Sequence, residues 1–305
     1  MNDLPIGIFD SGLGGLTVMR SVAELLPHED IVYLGDTARC PYGPRPLEEV
    51  QRYVVEVASW LTRRDVKLMV VACNTGTAAA LPLAQQLFDV PVIGVVEPGA
   101  RAAVMATVNR KVGVIGTAGT IESGAYSRAV RALDAGVTVF SVATPKFVDV
   151  VEQGLRMGPG ALEEWMAEFS EVFVRPSFYE IARDYLDPLK RVGVDTLVLG
   201  CTHFPLLSAS IGQAIGPSVR LISSADETAR EVAETLAARG HLHASGRPPS
   251  YTFATTGDPG EFASLGARVL RHPIADAQRV SLGELAAEAR AYDPAAAAAA
   301  LIPCD

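Results

Sequence analysis

The sequence predicts an α/β protein of two pseudo-symmetric lobes, each a mostly parallel sheet flanked by helices, with a site in the cleft between them. Three observations carry this expectation. Short β-branched runs alternate with helix-period segments along the chain. The runs are mostly apolar, as strands covered by helices on both faces should be. Segments of the first half also recur, in order, in the second. With 305 residues, 49% hydrophobic and 20% charged, the chain is long enough for two lobes with cores of their own.

The strand runs fall at 6–9, 31–34, 67–72, 91–95, 112–115, 137–142, 195–199, 219–222 and 251–254. Between them lie amphipathic stretches. The clearest carries Leu47, Val50, Val54, Val57 and Leu61 on one face, with Glu48 and Glu49 in its first turn, where the helix dipole favours acids. Another opens on the capping-box pattern Ser224-Ala225-Asp226-Glu227 and stops at Gly240. The repeat is read by shifting the chain. A shift of 106 lays Ile6-Gly7-Ile8-Phe9-Asp10 on Val112-Gly113-Val114-Ile115-Gly116, and Ile31-Val32-Tyr33-Leu34 on Val137-Thr138-Val139-Phe140. A shift of 128 lays the run ending at Cys73 on the run ending at Cys201, the extra residues falling around 155–185.

Charge and cysteine usage narrow the function. A net charge of −9 argues against a nucleic-acid partner, and it means that a small anion must be held by local donors. The four cysteines, at 40, 73, 201 and 304, show no CxxC and no regular spacing. They suit neither a disulfide framework nor a metal site, and read as free thiols of a reducing compartment. The opening Met-Asn-Asp-Leu-Pro lacks a basic leader and no apolar run approaches a membrane span, so the expectation is a cytoplasmic protein without a membrane partner.

Open α/β sheets bind ligands beyond the carboxyl ends of their strands, so the residues after each strand matter most. They are Asp10-Ser11-Gly12-Leu13-Gly14-Gly15, Asp36 with Pro41-Tyr42-Gly43, and Cys73-Asn74-Thr75. In the second half they are Gly116-Thr117-Ala118-Gly119-Thr120, Thr144-Pro145-Lys146 and Cys201-Thr202-His203. Small polar turns of this kind present backbone N–H groups to an anion. Gly12-Leu13-Gly14 with Asp36 downstream has a dinucleotide look, but Thr17 stands at the third glycine and Asp10 would repel a pyrophosphate. No phosphate-binding GxxxxGK[ST] loop exists. Lys146 reads as a solvated lysine rather than a Schiff-base former.

One cysteine at a strand end is usually a small buried hydrophobe. Two at corresponding places, each followed by hydrogen-bonding side chains at a helix start, suggest chemistry. Covalent catalysis needs one nucleophile. Two equivalent thiols instead suit stereoinversion at a carbon acid, where one face loses a proton and the other gains one.

These residues resemble those of the glutamate racemases, in the cofactor-independent aspartate/glutamate racemase superfamily. The matching motifs are Phe9-Asp10-Ser11-Gly12-Leu13-Gly14-Gly15-Leu16, Asp36-Thr37-Ala38-Arg39-Cys40-Pro41-Tyr42-Gly43, Ala72-Cys73-Asn74-Thr75, Gly116-Thr117-Ala118-Gly119-Thr120-Ile121 and Gly200-Cys201-Thr202-His203-Phe204-Pro205-Leu206. Thr255-Thr256-Gly257-Asp258 looks like the closing strand-turn, and the likeness spans about residues 5–275. It implies interconversion of L- and D-glutamate without cofactor or metal, supplying D-glutamate for peptidoglycan. By the resemblance, Cys73 takes the α-proton of D-glutamate with Asp10 assisting, and Cys201 that of L-glutamate with His203 and Glu152 assisting. Substrate contacts would come from Asp10, Ser11, Tyr42, Gly43, Asn74, Thr75, Thr117, Thr120, Thr202 and His203.

The resemblance also implies a chain path, with residues 1–97 and 210–275 in one lobe and 98–209 in the other; residues 276–305, beyond the resemblance, read as a partly disordered extension. This sequence departs from the common pattern at Gly76-Thr77, in a longer 155–185 stretch and in its Ala-rich tail, where Cys304 reads as idle. The alternatives are an aspartate or hydantoin racemase of the same superfamily, or a non-catalytic amino-acid-binding protein. Mere binding requires neither thiol. Self-association as a homodimer is left open.

Overall fold

The computed structural model describes residues 3–156, 176–243 and 247–292. They form two compact units, one made of residues up to Val95 with those from Ala225 onward, the other of Val96–Ser224. The first unit opens with β1 (Ile6–Asp10), α1 (Leu16–Leu25), β2 (Ile31–Gly35), α2 (Leu47–Thr62), β3 (Leu68–Val71), α3 (Asn74–Leu87) and β4 (Val92–Gly94). The second holds α4 (Val96–Ala106), β5 (Lys111–Gly116), α5 (Ala118–Glu122), α6 (Ala125–Leu133), β6 (Thr138–Ala143) and α7 (Pro145–Arg156). After residues 157–175 it continues with α8 (Pro176–Val192), β7 (Thr196–Gly200), a 3-10 turn at Phe204–Leu207, α9 (Ser208–Ile215) and β8 (Arg220–Ser223). The chain returns to the first unit through α10 (Ser224–Ala238), β9 (Tyr251–Thr255), α11 (Pro259–Leu270), β10 (Gln278–Arg279) and α12 (Leu282–Tyr292).

Among the described residues the first sheet runs β10-β9-β2-β1-β3-β4 and the second β6-β5-β7-β8. Every pairing in both is parallel. β1 and β3 are buried along their whole length because helices cover both faces, which is why they are apolar without alternation. The stripe Val50, Val54, Val57 and Leu61 of α2 is fully buried in a core with Phe9, Met69 and Val71. Each such side chain contributes roughly 1.5–3 kcal/mol. The predicted helix from Ser224 ends as expected, with Gly240 in the left-handed region at φ 65°.

The repeat is present in the topology. Its four strands pair in the order β2-β1-β3-β4 in the first sheet and β6-β5-β7-β8 in the second. Ile6 lies beside Leu68, and Val112 beside Thr196, so the shifts of 106 and 128 hold in register. The second strand differs. Ile6 lies beside Ile31 but Val112 beside Val139, which makes that offset 108 rather than 106. A slip of two residues keeps every side chain on its own face, so hydropathy could not reveal it.

Two boundaries also differ from expectation. The chain leaves the second unit after Ser224, not at 209, because β8 pairs with β7 and completes that sheet. The stretch expected to be an extension from 276 belongs, as far as 292, to the first unit. Val280 and Leu285 enter its core, and Arg64 of α2 lies 3.9 Å from Glu284 and 3.7 Å from Glu288. Cys304 and the alanine run from 295 fall outside the described residues. Among the described residues no helix is long and apolar enough to cross a membrane.

Candidate active site

In the first unit the ends of β1 and β3 bring together Asp10, Ser11, Cys73, Asn74 and Thr75, all buried. Asp10 is fully buried, and its Oδ2 accepts N–H bonds from Gly12 at 3.2 Å and Gly15 at 2.9 Å. Gly15 is required there, since a Cβ would lie 2.3 Å from Asp10 Cβ. The Cys73 thiol donates to Ser11 Oγ at 3.8 Å. Cys73 is the N-cap of α3, with extended backbone, so the sulfur sits at the positive end of a 14-residue helix. Asn74 and Thr75 are the first residues of that helix.

The loop after β2 is pinned by a buried charge network. Asp36 accepts from Arg39 Nε at 2.6 Å, from Thr256 Oγ1 at 2.8 Å and from the Tyr42 hydroxyl. Arg39 also donates to Glu56 of α2 and stacks 3.9 Å over the Tyr53 ring. Burial and the Asp36 charge push the Tyr42 phenol well above its ordinary value, so it remains a donor. The loop contains a cis Cys40–Pro41 bond, and Gly43 beyond it is buried.

In the second unit β7 is followed by Cys201, Thr202 and His203, all buried. His203 Nδ1 lies 3.7 Å from Cys201 Sγ, and its Nε2 lies 2.7 Å from Oε1 of Glu152 on α7. Burial alone would lower the imidazole. Hydrogen bonds to Cys201 and Glu152 outweigh it and raise His203 well above its ordinary 6.5. Burial likewise works against Glu152, yet the His203 hydrogen bond and charge hold the carboxyl below its ordinary 4.5. The pair is therefore charged near neutrality. Phe147 of α7 packs edge-on against Phe204 beside His203, with centroids 5.5 Å apart, which fixes the helix carrying Glu152 against the turn carrying His203.

Thr117 caps α5 after β5, and its hydroxyl lies 3.1 Å from that of Thr120. Lys146 is exposed, and Cys40 is half-buried near Gly12. The residues expected to carry chemistry thus fall into two clusters: Asp10, Ser11, Tyr42, Gly43, Cys73, Asn74 and Thr75 in one unit, and Thr117, Thr120, Glu152, Cys201, Thr202 and His203 in the other. Sequence reasoning passed over Arg39, Glu56 and Tyr33. The buried face of α2 carries Glu56 among valines, a charge on an apolar stripe that signals a partner. Among the described residues no group of His, Cys, Asp or Glu could hold a metal ion.

A family model described as Asp/Glu/hydantoin racemase matches residues 6–232. The glutamate racemase of Corynebacterium glutamicum is 48% identical over 273 residues, covering 88% of this chain and 92% of that protein. A crystal structure of a glutamate racemase isoform from Bacillus anthracis superposes with a TM-score of 0.83 at 41% identity, covering 92% of this chain and 99% of that one. The glutamate racemase of Francisella tularensis, solved in complex with D-glutamate, gives 0.81 at 31% identity, covering 92% and 99%.

Proposed function

This chain belongs to the Asp/Glu/hydantoin racemase family, and from that premise we propose that it interconverts L- and D-glutamate, with Cys73 and Cys201 as the two acid/base thiols. The observation that carries the reading is the placement of the sulfurs. They follow strands held in the same register in the two sheets, each at the end where a parallel sheet presents its ligand-binding turns.

With D-glutamate, the Cys73 thiolate takes the α-hydrogen as a proton. The C–H electron pair remains on Cα and spreads into the α-carboxylate. The Cys201 thiol then delivers its proton to the opposite face, leaving a thiolate there and a thiol at Cys73. With L-glutamate the roles exchange. His203, charged and tied to Glu152, can hold the charge of a Cys201 thiolate or give it a proton through Nδ1. Asp10 plays the corresponding part for Cys73.

Glutamate brings two carboxylates, which Ser11, Gly43, Asn74, Thr75, Thr117, Thr120 and Thr202 meet with hydroxyl, amide and backbone donors. Tyr42 contributes mainly by anchoring the Gly43 loop, its hydroxyl being committed to Asp36. Two reduced thiols suit the cytoplasm. The D-glutamate made there would serve peptidoglycan synthesis.

The test is incubation of the pure protein with L-glutamate in D2O, following optical rotation and loss of the α-proton signal. Both should change without added cofactor. Cys73→Ala and Cys201→Ala should each lower the rate on the order of 1,000-fold or more. Silence of the wild type in both channels would sink the glutamate reading, and exchange of aspartate alone would move the chain to a neighbouring specificity.

A further inference from the structure

The proposed chemistry asks nothing of the Tyr33 hydroxyl, yet that oxygen is buried against the Asp10 turn. Tyr33 stands on β2 beside Ile8 of β1 and is fully buried, its ring 6.0 Å from that of Phe262. A phenylalanine would serve the packing. The hydroxyl donates to the Gly12 carbonyl at 2.8 Å. Gly12 is also the residue whose N–H donates to Asp10, so it is held from both sides. A Cβ on Gly15 would lie 2.7 Å from the Tyr33 oxygen and 2.3 Å from Asp10 Cβ, so both side chains fill the space a side chain at position 15 would need. Ser11, which accepts from the Cys73 thiol, lies between Asp10 and Gly12.

We propose that Tyr33 is a positioning residue for the Cys73 half of the reaction: its hydroxyl fixes the Gly12 carbonyl, and with it the turn that sets Asp10 and Ser11 about Cys73. The inference rests on the two-thiol reading above. Burial, reinforced by the Asp10 charge, raises the phenol well above its ordinary 10.0, so it donates throughout the working pH range. Among the described residues of the second unit there is no tyrosine at the matching position. The register places exposed Ser141 where Tyr33 would be, because Val114 pairs with it as Ile8 pairs with Tyr33. The effect of the hydroxyl is therefore confined to one thiol.

The experiment compares wild type with Tyr33→Phe, using D- and L-glutamate deuterated at Cα. The equilibrium constant between enantiomers is one, so kcat/KM must fall equally in both directions, by between about 10- and 100-fold. The isotope effects must then diverge. Abstraction by Cys73 becomes more rate-limiting, so the effect on kcat/KM rises with D-glutamate. Abstraction by Cys201 becomes less so, and the effect with L-glutamate falls toward the equilibrium isotope effect of carbon-to-thiol transfer. A loss of activity with both isotope effects unchanged, or no loss, overturns the proposal. So does a variant that fails to fold by circular dichroism, because the proposal requires the ring alone to sustain the core. Failure of the underlying reading shows elsewhere: an inactive wild type, or an active Cys73→Ala variant, removes the two-thiol premise and this inference with it.

Discussion

His203 sits between a thiol and a carboxylate, and its charge state links stability to pH. Its folded-state value is raised above 6.5, so its contribution is full below about 6.5 and lost as pH rises through the raised value. Glu152 is depressed below 4.5, so its contribution is full above about 4.5 and lost as pH falls through the depressed value. Both contributions are present together in the window from about 4.5 to 6.5. His203→Asn should cost about 2 kcal/mol there, the worth of a hydrogen bond to a charged group. The cost should shrink toward alkaline pH, where wild type loses the same charge. Melting temperatures of both proteins from about pH 5 to about pH 10 check this, and a gap that widens with pH would contradict it. Asn keeps a donor but not the charge, so the pH profile of kcat should lose a limb as well.

Among elements, the strands were legible because burial on both faces leaves an uninterrupted apolar run that ends where polar turns begin. The nine predicted runs each overlap an observed strand to within about one residue at either end. β10 was not legible: it is two exposed residues, Gln278 and Arg279, paired to Ala254 and Thr255 far away in sequence. α12 was misread for a different reason. Its alanines merge with the Ala-rich tail, which hides the spacing of Leu282, Leu285 and Ala289. The structure shows Leu285 fully buried against α2. Leu285→Ala should therefore cost about 2–5 kcal/mol in a denaturant titration, which a surface extension would not. The strand-end residues of the candidate site were readable because small polar residues rarely follow apolar runs in pairs. The network of Asp36, Arg39 and Glu56 was not, since its members meet only after α2 has folded back on the β2 loop.

For the whole molecule, the −9 charge and an anionic substrate pull against each other. Lowering ionic strength from about 0.15 M to about 0.01 M extends the Debye length from about 8 to about 30 Å, so the repulsion reaches further. kcat/KM for glutamate should thus rise, by roughly two- to threefold, as an inert salt is added over that range, with kcat little changed. A fall would mean that local donors generate an attractive field beyond their own contacts.

The duplicated register has one more consequence. Two copies of a fold built from L-residues share one hand, whereas the two enantiomers of an amino acid do not. In the reading proposed above each enantiomer meets donors of both copies and gives its proton to only one thiol, so the two copies need not carry the same assistants. They do not: at matched positions Asp10 stands against Gly116, and Asn74-Thr75 against Thr202-His203, on strands whose pairing is otherwise the same.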